Sequence, residues 1–126
     1  MTLAILRPAL GIARLGPSEP IPAWATQGGF YSITHTEDEL SMVCEAAAIP
    51  VDAGAELGWR GLRVVGRLDF ALTGILASLA NPLAAAGVSI FAVSTFDTDY
   101  ILVRDYALDT AIDSLRRAGH DVVGPC

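Results

Sequence analysis

A chain of 126 residues, 52% hydrophobic and 17% charged, has the apolar content for a folded core and excludes disorder. A net charge of −6, eight scattered arginines and no lysine exclude a nucleic-acid surface, a Schiff-base lysine and a phosphate-loop lysine. No apolar run approaches the roughly 18–20 residues of a membrane helix, and the first residues lack a secretory-signal pattern, so a cytoplasmic protein without a membrane partner is expected.

In chain order, Leu3 to Leu6 predicts a first strand that stops at Arg7-Pro8, because proline cannot continue a central ladder. Leu10 to Leu15 fits either a second strand or a short helical turn. Three prolines between Gly16 and Pro22 make a loop, and Pro22 to Ala25 fits a single helical turn. Phe30 to Thr34 and Leu40 to Cys44 read as paired strands around a polar elbow, His35 to Glu39. Ile49 to Gly58 reads as a loop and Leu62 to Leu68 as a strand.

Thr73 to Ala86 is the best helix, with Leu72, Ile75, Leu76, Leu79, Leu83 and Ala86 predicted on one face and Gly87 as its stop. Pro82 lies inside it, which predicts a bend or break near Ser78 to Asn81. Val88 to Val93 and Tyr100 to Val103 are apolar strands joined by a second polar elbow, Ser94 to Asp99. Ala107 to Ala118 is a second helix with Leu108, Ile112 and Leu115 inward, and His120 to Val123 a closing strand. From Leu62 onward the order is strand, helix, strand, strand, helix, strand, a split βαβ unit.

Shifting the first hairpin by 60 positions lays it on the second, with eight of thirteen pairs from 33/93 to 45/105 alike in type. This points to an internal duplication whose N-terminal copy lacks the long first helix.

Chemistry-bearing residues are few. Asp97 and Asp99 suit either an ordinary solvated turn or contact with a small zwitterion. A metal at Asp69, Asp97 and Asp99 lacks a further ligand to complete its shell. His35, Cys44 and His120 have no spacing that brings them together, and Cys44 in an apolar strand reads as buried and inert. No base and nucleophile assemble into one cleft, so no enzyme and no cofactor are expected.

Phe30 to Glu39, Leu72-Thr73-Gly74-Ile75-Leu76, Asn81-Pro82-Leu83-Ala84, Val88 to Phe91 and Ser94 to Val103 together resemble the ACT-like amino-acid-sensing family. The chain is similar to small bacterial tandem ACT-domain proteins and to each half of CASTOR-type cytosolic arginine sensors, and more distantly to the regulatory ACT domains of aspartate kinases. The resemblance implies an α+β, ferredoxin-like ACT fold (βαββαβ) in two tandem modules, a reduced one at 1–60 and a second at 61–126. It also implies a homodimer that binds a free amino acid where modules of two chains meet. Carried over by position, the ligand loop is Asp69, Phe70, Ala71, Leu72, Thr73, Gly74 and Ile75. The elbow supplies Thr95, Phe96 and Asp99, and the neighbour's edge supplies Ser89 and Ile90. Leu72 stands where the arginine sensors carry an acidic residue, which argues for a smaller or more apolar amino acid than arginine.

Overall fold

The computed structural model describes residues 1–66 and 73–125. The elements in order are β1 (Thr2–Leu15), β2 (Tyr31–His35), β3 (Leu40–Glu45), β4 (Glu56–Val64), α1 (Ile75–Ala85), β5 (Ile90–Ser94), β6 (Asp99–Arg104), α2 (Leu108–Arg117) and β7 (Asp121–Val123). Short 3₁₀ turns stand at Ala23–Thr26, Ala46–Ala48 and Asp105–Ala107. Two compact units emerge: Met1–Arg7 with Arg60–Cys126, and Pro8–Trp59.

In the larger unit the strand order is β7-β1-β4-β6-β5. The Val65 amide donates to the Thr2 carbonyl (2.9 Å) and the Arg60 guanidinium to that of Leu6 (3.3 Å), so β1 and β4 run in opposite directions there. The closing strand β7 pairs in parallel with Thr2–Ala4 of β1. The start of the chain is therefore an additional strand in an otherwise βαββαβ arrangement. Leu3, Ile5, Leu62, Val64, Ile101 and Val103 from the sheet meet Leu79 and Leu83 of α1 and Ala111 and Leu115 of α2 in one core. Burying such a side chain contributes about 1.5–3 kcal/mol each.

The smaller unit carries β2-β3-β1, with Leu10–Leu15 of β1 antiparallel to β3. Its core is Ala13, Ala25, Leu40 and Met42, with Trp24 and Ile33 packed against them.

Several expectations from the sequence need correction. β1 does not stop at Pro8. It continues to Leu15, so Leu10 to Leu15 is strand rather than helical turn. Pro8 lies between Thr2–Ala4, which pair with β7, and Leu10–Leu15, which pair with β3, so it belongs to neither of those ladders. β4 begins at Glu56, inside the expected loop, and ends at Val64; Leu68 lies outside the described residues.

The helix α1 runs without a break through Pro82. Its inward face is set by Leu79 and Leu83, while Leu76 is exposed rather than on that face, and Leu72 lies outside the described residues. The matching elements of the two hairpins are offset by 59, not 60. Tyr31 and Ile90 open the first strands, Leu40 and Asp99 the second, and Ala46 and Asp105 the turns that follow, each pair 59 apart. The carboxylate-rich elbows favoured a one-residue slip, and in strands one residue exchanges the two faces.

Candidate ligand site

The β5–β6 elbow is built by two threonines three residues apart. The Thr95 amide donates to the Thr98 carbonyl (2.8 Å), and its hydroxyl donates to the same oxygen (3.0 Å) while accepting the Thr98 amide (3.2 Å). This is the hydroxyl-closed turn that serine and threonine favour. Thr36 does the same 59 residues earlier, bonding the Glu39 carbonyl and accepting the Asp38 and Glu39 amides.

Thr98 is the residue that sequence reasoning missed. It is buried, and its hydroxyl donates to the Val64 carbonyl at 2.8 Å. That bond ties the first turn of β6 to the end of β4, where the chain leaves for α1. Asp99, the next residue, is half-buried and opens β6 opposite Ser94. Among the described residues its carboxylate has no hydrogen-bond or ion-pair partner. A partly desolvated carboxylate of this kind is a strong acceptor for a cationic group.

At the start of α1, Gly74 is the N-cap in the left-handed region (φ 74°), and its carbonyl accepts the Ser78 amide at 2.9 Å. No side chain caps this end and no acidic residue stands in its first turn. The amides that open the helix are thus those of Ile75, Leu76 and Ala77, because α1 starts two residues after the predicted Thr73. Among the described residues a Cβ at Gly74 would meet nothing within 4 Å. Thr73 is exposed just before it.

Ser89 is exposed and Ile90, the first residue of β5, is half-buried. Phe96 is 67% exposed at the elbow. Asp69, Phe70, Ala71 and Leu72 lie outside the described residues. Among the described residues no three His, Cys, Asp or Glu side chains are grouped to hold a metal.

The catalytic set considered from the sequence is not assembled in the smaller unit. His35 pairs with Leu40 and Cys44 with Tyr31, at opposite ends of the β2–β3 ladder. The Nε2 of His35 donates to the Pro17 carbonyl at 2.9 Å. Cys44 is fully buried; burial pushes its thiol above the ordinary value, and the neighbouring Glu45 carboxylate adds to the rise.

A family model of the ACT domain matches residues 54–117, and a second model, of an N-terminal domain, matches residues 9–52. The chain is 34% identical over 116 residues to the cytosolic arginine sensor for mTORC1 subunit 1 of Rattus norvegicus, covering 79% of this chain and 35% of that protein. For the Homo sapiens protein of the same name the identity is 35% over 109 residues, covering 79% of this chain and 32% of that one. The chain thus spans about a third of the length of the curated relatives it matches. Among solved structures, protein Atu0741 from Agrobacterium tumefaciens is similar at 48% identity with a TM-score of 0.91, over 97% of this chain and 91% of that one. The aspartate kinase of Clostridium acetobutylicum shares the fold at 14% identity and a TM-score of 0.67, over 92% of this chain and 34% of that one.

Proposed function

The chain belongs to the ACT-domain family, with its α+β, ferredoxin-like fold, and from that premise we propose that it is a non-catalytic regulatory module that binds a free amino acid. The observation that carries this reading is the tie of Thr98 to Val64, beside which Asp99 stands half-buried with its carboxylate unpaired among the described residues. In this reading Asp99 accepts the ligand's α-ammonium as a charge-assisted bond. The open amides at the start of α1 receive its α-carboxylate, favoured by the helix dipole. Asp69, Phe70, Leu72 and Thr73 cover the ligand, Gly74 and Ile75 bound it, and Phe96 supplies an apolar wall with Thr95 beneath.

The protein acts as a cytoplasmic homodimer of tandem modules, 1–60 and 61–126, and the second copy lends Ser89 and Ile90 to each site. Two relatives are named as arginine sensors. Leu72, an uncharged residue in the covering loop, argues for a smaller or more apolar amino acid here. The ligand works by binding one dimer geometry better than another and shifting the population toward it.

A thermal-shift screen of free amino acids tests this. A ligand at about 100 times its dissociation constant adds roughly 2.7 kcal/mol of stability. One amino acid is expected to raise Tm in the wild type and to lose that effect in Asp99→Ala. A second reading, an assembly module with no ligand, draws on Thr95, whose hydroxyl is already engaged within its own turn. A dimer by light scattering with no Tm response to any amino acid would decide for that reading.

A further inference from the structure

In the smaller unit a carboxylate already sits in a backbone cradle. The Glu45 Oε2 accepts the Gly29 amide at 2.5 Å and the Phe30 amide at 3.4 Å. The preceding residue, Gly28, is in the left-handed region (φ 87°), which turns successive amides toward one point, an arrangement that suits an anion. A Cβ at Gly28 would overlap the Glu45 Oε2, so glycine is what admits the carboxylate. Beside it is a cavity of about 240 Å³ lined by Gln27, Gly28, Glu45, Ala47 and Ala48.

The 59-residue offset sets this cradle against a turn in the larger unit that is bonded differently. Gly28 corresponds to Gly87, also left-handed at φ 76°, and Phe30 corresponds to Ser89. Glu45, the last residue of β3, corresponds to Arg104, the last residue of β6. The same strand end thus carries an anion in one unit and a cation in the other.

We propose that the Gly28–Phe30 turn is a carboxylate-binding site that Glu45 fills from within, closing the N-terminal unit to free carboxylates. In the C-terminal turn the amide that corresponds to Gly29, that of Val88, donates to the Leu83 carbonyl (2.9 Å), and Arg104 stands where the carboxylate would be, so the filled cradle belongs to the N-terminal unit. This internal filling of the cradle does not depend on the amino-acid-binding reading above.

Amide NMR spectra of the full chain, titrated with formate against chloride at matched ionic strength, test the proposal. In the wild type the Gly29 and Phe30 resonances stay in place. In Glu45→Ala they move saturably with formate and not with chloride. Formate moving them equally in both proteins, or in neither, overturns the proposal. Should Glu45→Ala fail to fold, Glu45→Gln keeps an acceptor oxygen without the charge. Its Gly29 amide must then exchange with solvent at least several-fold faster than in the wild type, and an unchanged rate overturns the proposal. Responses of Ser89 and Asp99 to amino acids in the same spectra report separately on the C-terminal site.

Discussion

The Nε2 of His120 donates to the carbonyl oxygen of Ser78, 3.1 Å away. Ser78 is four residues before Pro82, the helix residue that has no N–H to offer it. The chain thus continues a proline-containing helix by bringing a donor from 42 residues away. An imidazole nitrogen facing a carbonyl oxygen must carry the proton, which fixes His120 as donor at Nε2.

The first prediction follows from that bond. His120→Ala should cost about 0.5–1.5 kcal/mol, the net worth of one hydrogen bond, toward the lower end because Ser78 is exposed to water. In a Pro82→Ala background the new amide of residue 82 can satisfy Ser78 itself, so the cost of His120→Ala should shrink. A double-mutant cycle by urea unfolding measures the coupling. Equal costs in both backgrounds would show that the two residues act independently.

The second prediction concerns Thr98, the hydroxyl that holds the β6 turn to the end of β4. Thr98→Val keeps the shape and removes the donor, leaving the Val64 carbonyl without it. That loss should cost about 1–3 kcal/mol, the desolvation penalty of a buried acceptor. Thr98→Ser keeps the bond and should stay much closer to wild type in the same denaturation experiment. If Asp99 holds a ligand, Thr98→Val should also weaken amino-acid affinity while Thr98→Ser retains it, measurable by titration calorimetry.

Both hairpins were legible because apolar runs flank turn-forming residues, and both helices because their apolar residues recur at helical spacing. The passage of β1 through Pro8 was not, since it depends on which residues of β1 take part in the β3 and β7 ladders, a tertiary fact. The offset of 59 was hidden because Glu37 and Glu39 resemble Asp97 and Asp99 in type, whereas the geometry pairs Thr36 with Thr95. At the candidate site, the position of Asp99 at the head of a strand could be read. Thr98 could not be told from Thr95 until the fold showed which hydroxyl points inward. Glu45 reaches Gly29 only because the intervening β2–β3 hairpin folds back, so no local pattern announces the cradle.

Two glycines with similar backbone angles should respond very differently to alanine. Among the described residues Gly74→Ala meets nothing, so its expected cost is that of the left-handed backbone, about 1–2 kcal/mol. Gly28→Ala carries the same backbone cost and also drives the Glu45 carboxylate from its amides. A charged hydrogen bond contributes about 1.5–3 kcal/mol, so Gly28→Ala should be the more damaging by roughly that amount. In a Glu45→Ala background the difference should disappear, since no carboxylate remains to displace. Chemical denaturation of the four variants provides the comparison.

Cys44 gives the last prediction, a dependence on alkaline pH. Burial holds its thiol above the ordinary 9.0 in the folded chain, and the Glu45 carboxylate raises it further. On unfolding the thiol regains its ordinary value and ionises at lower pH than in the native state. Below pH 9 both states keep the proton, so this contribution to stability is complete there. As pH rises past 9 toward the folded value, the unfolded state loses its proton first and is favoured, so stability falls. The difference between proteins with and without this thiol isolates the effect. In a Cys126→Ser background, the stability advantage of Cys44 over Cys44→Ala should be constant up to about pH 9 and shrink above it. Urea midpoints across that range measure this, and an advantage that stays constant would mean that the thiol ionises as readily in the folded chain as in the unfolded one.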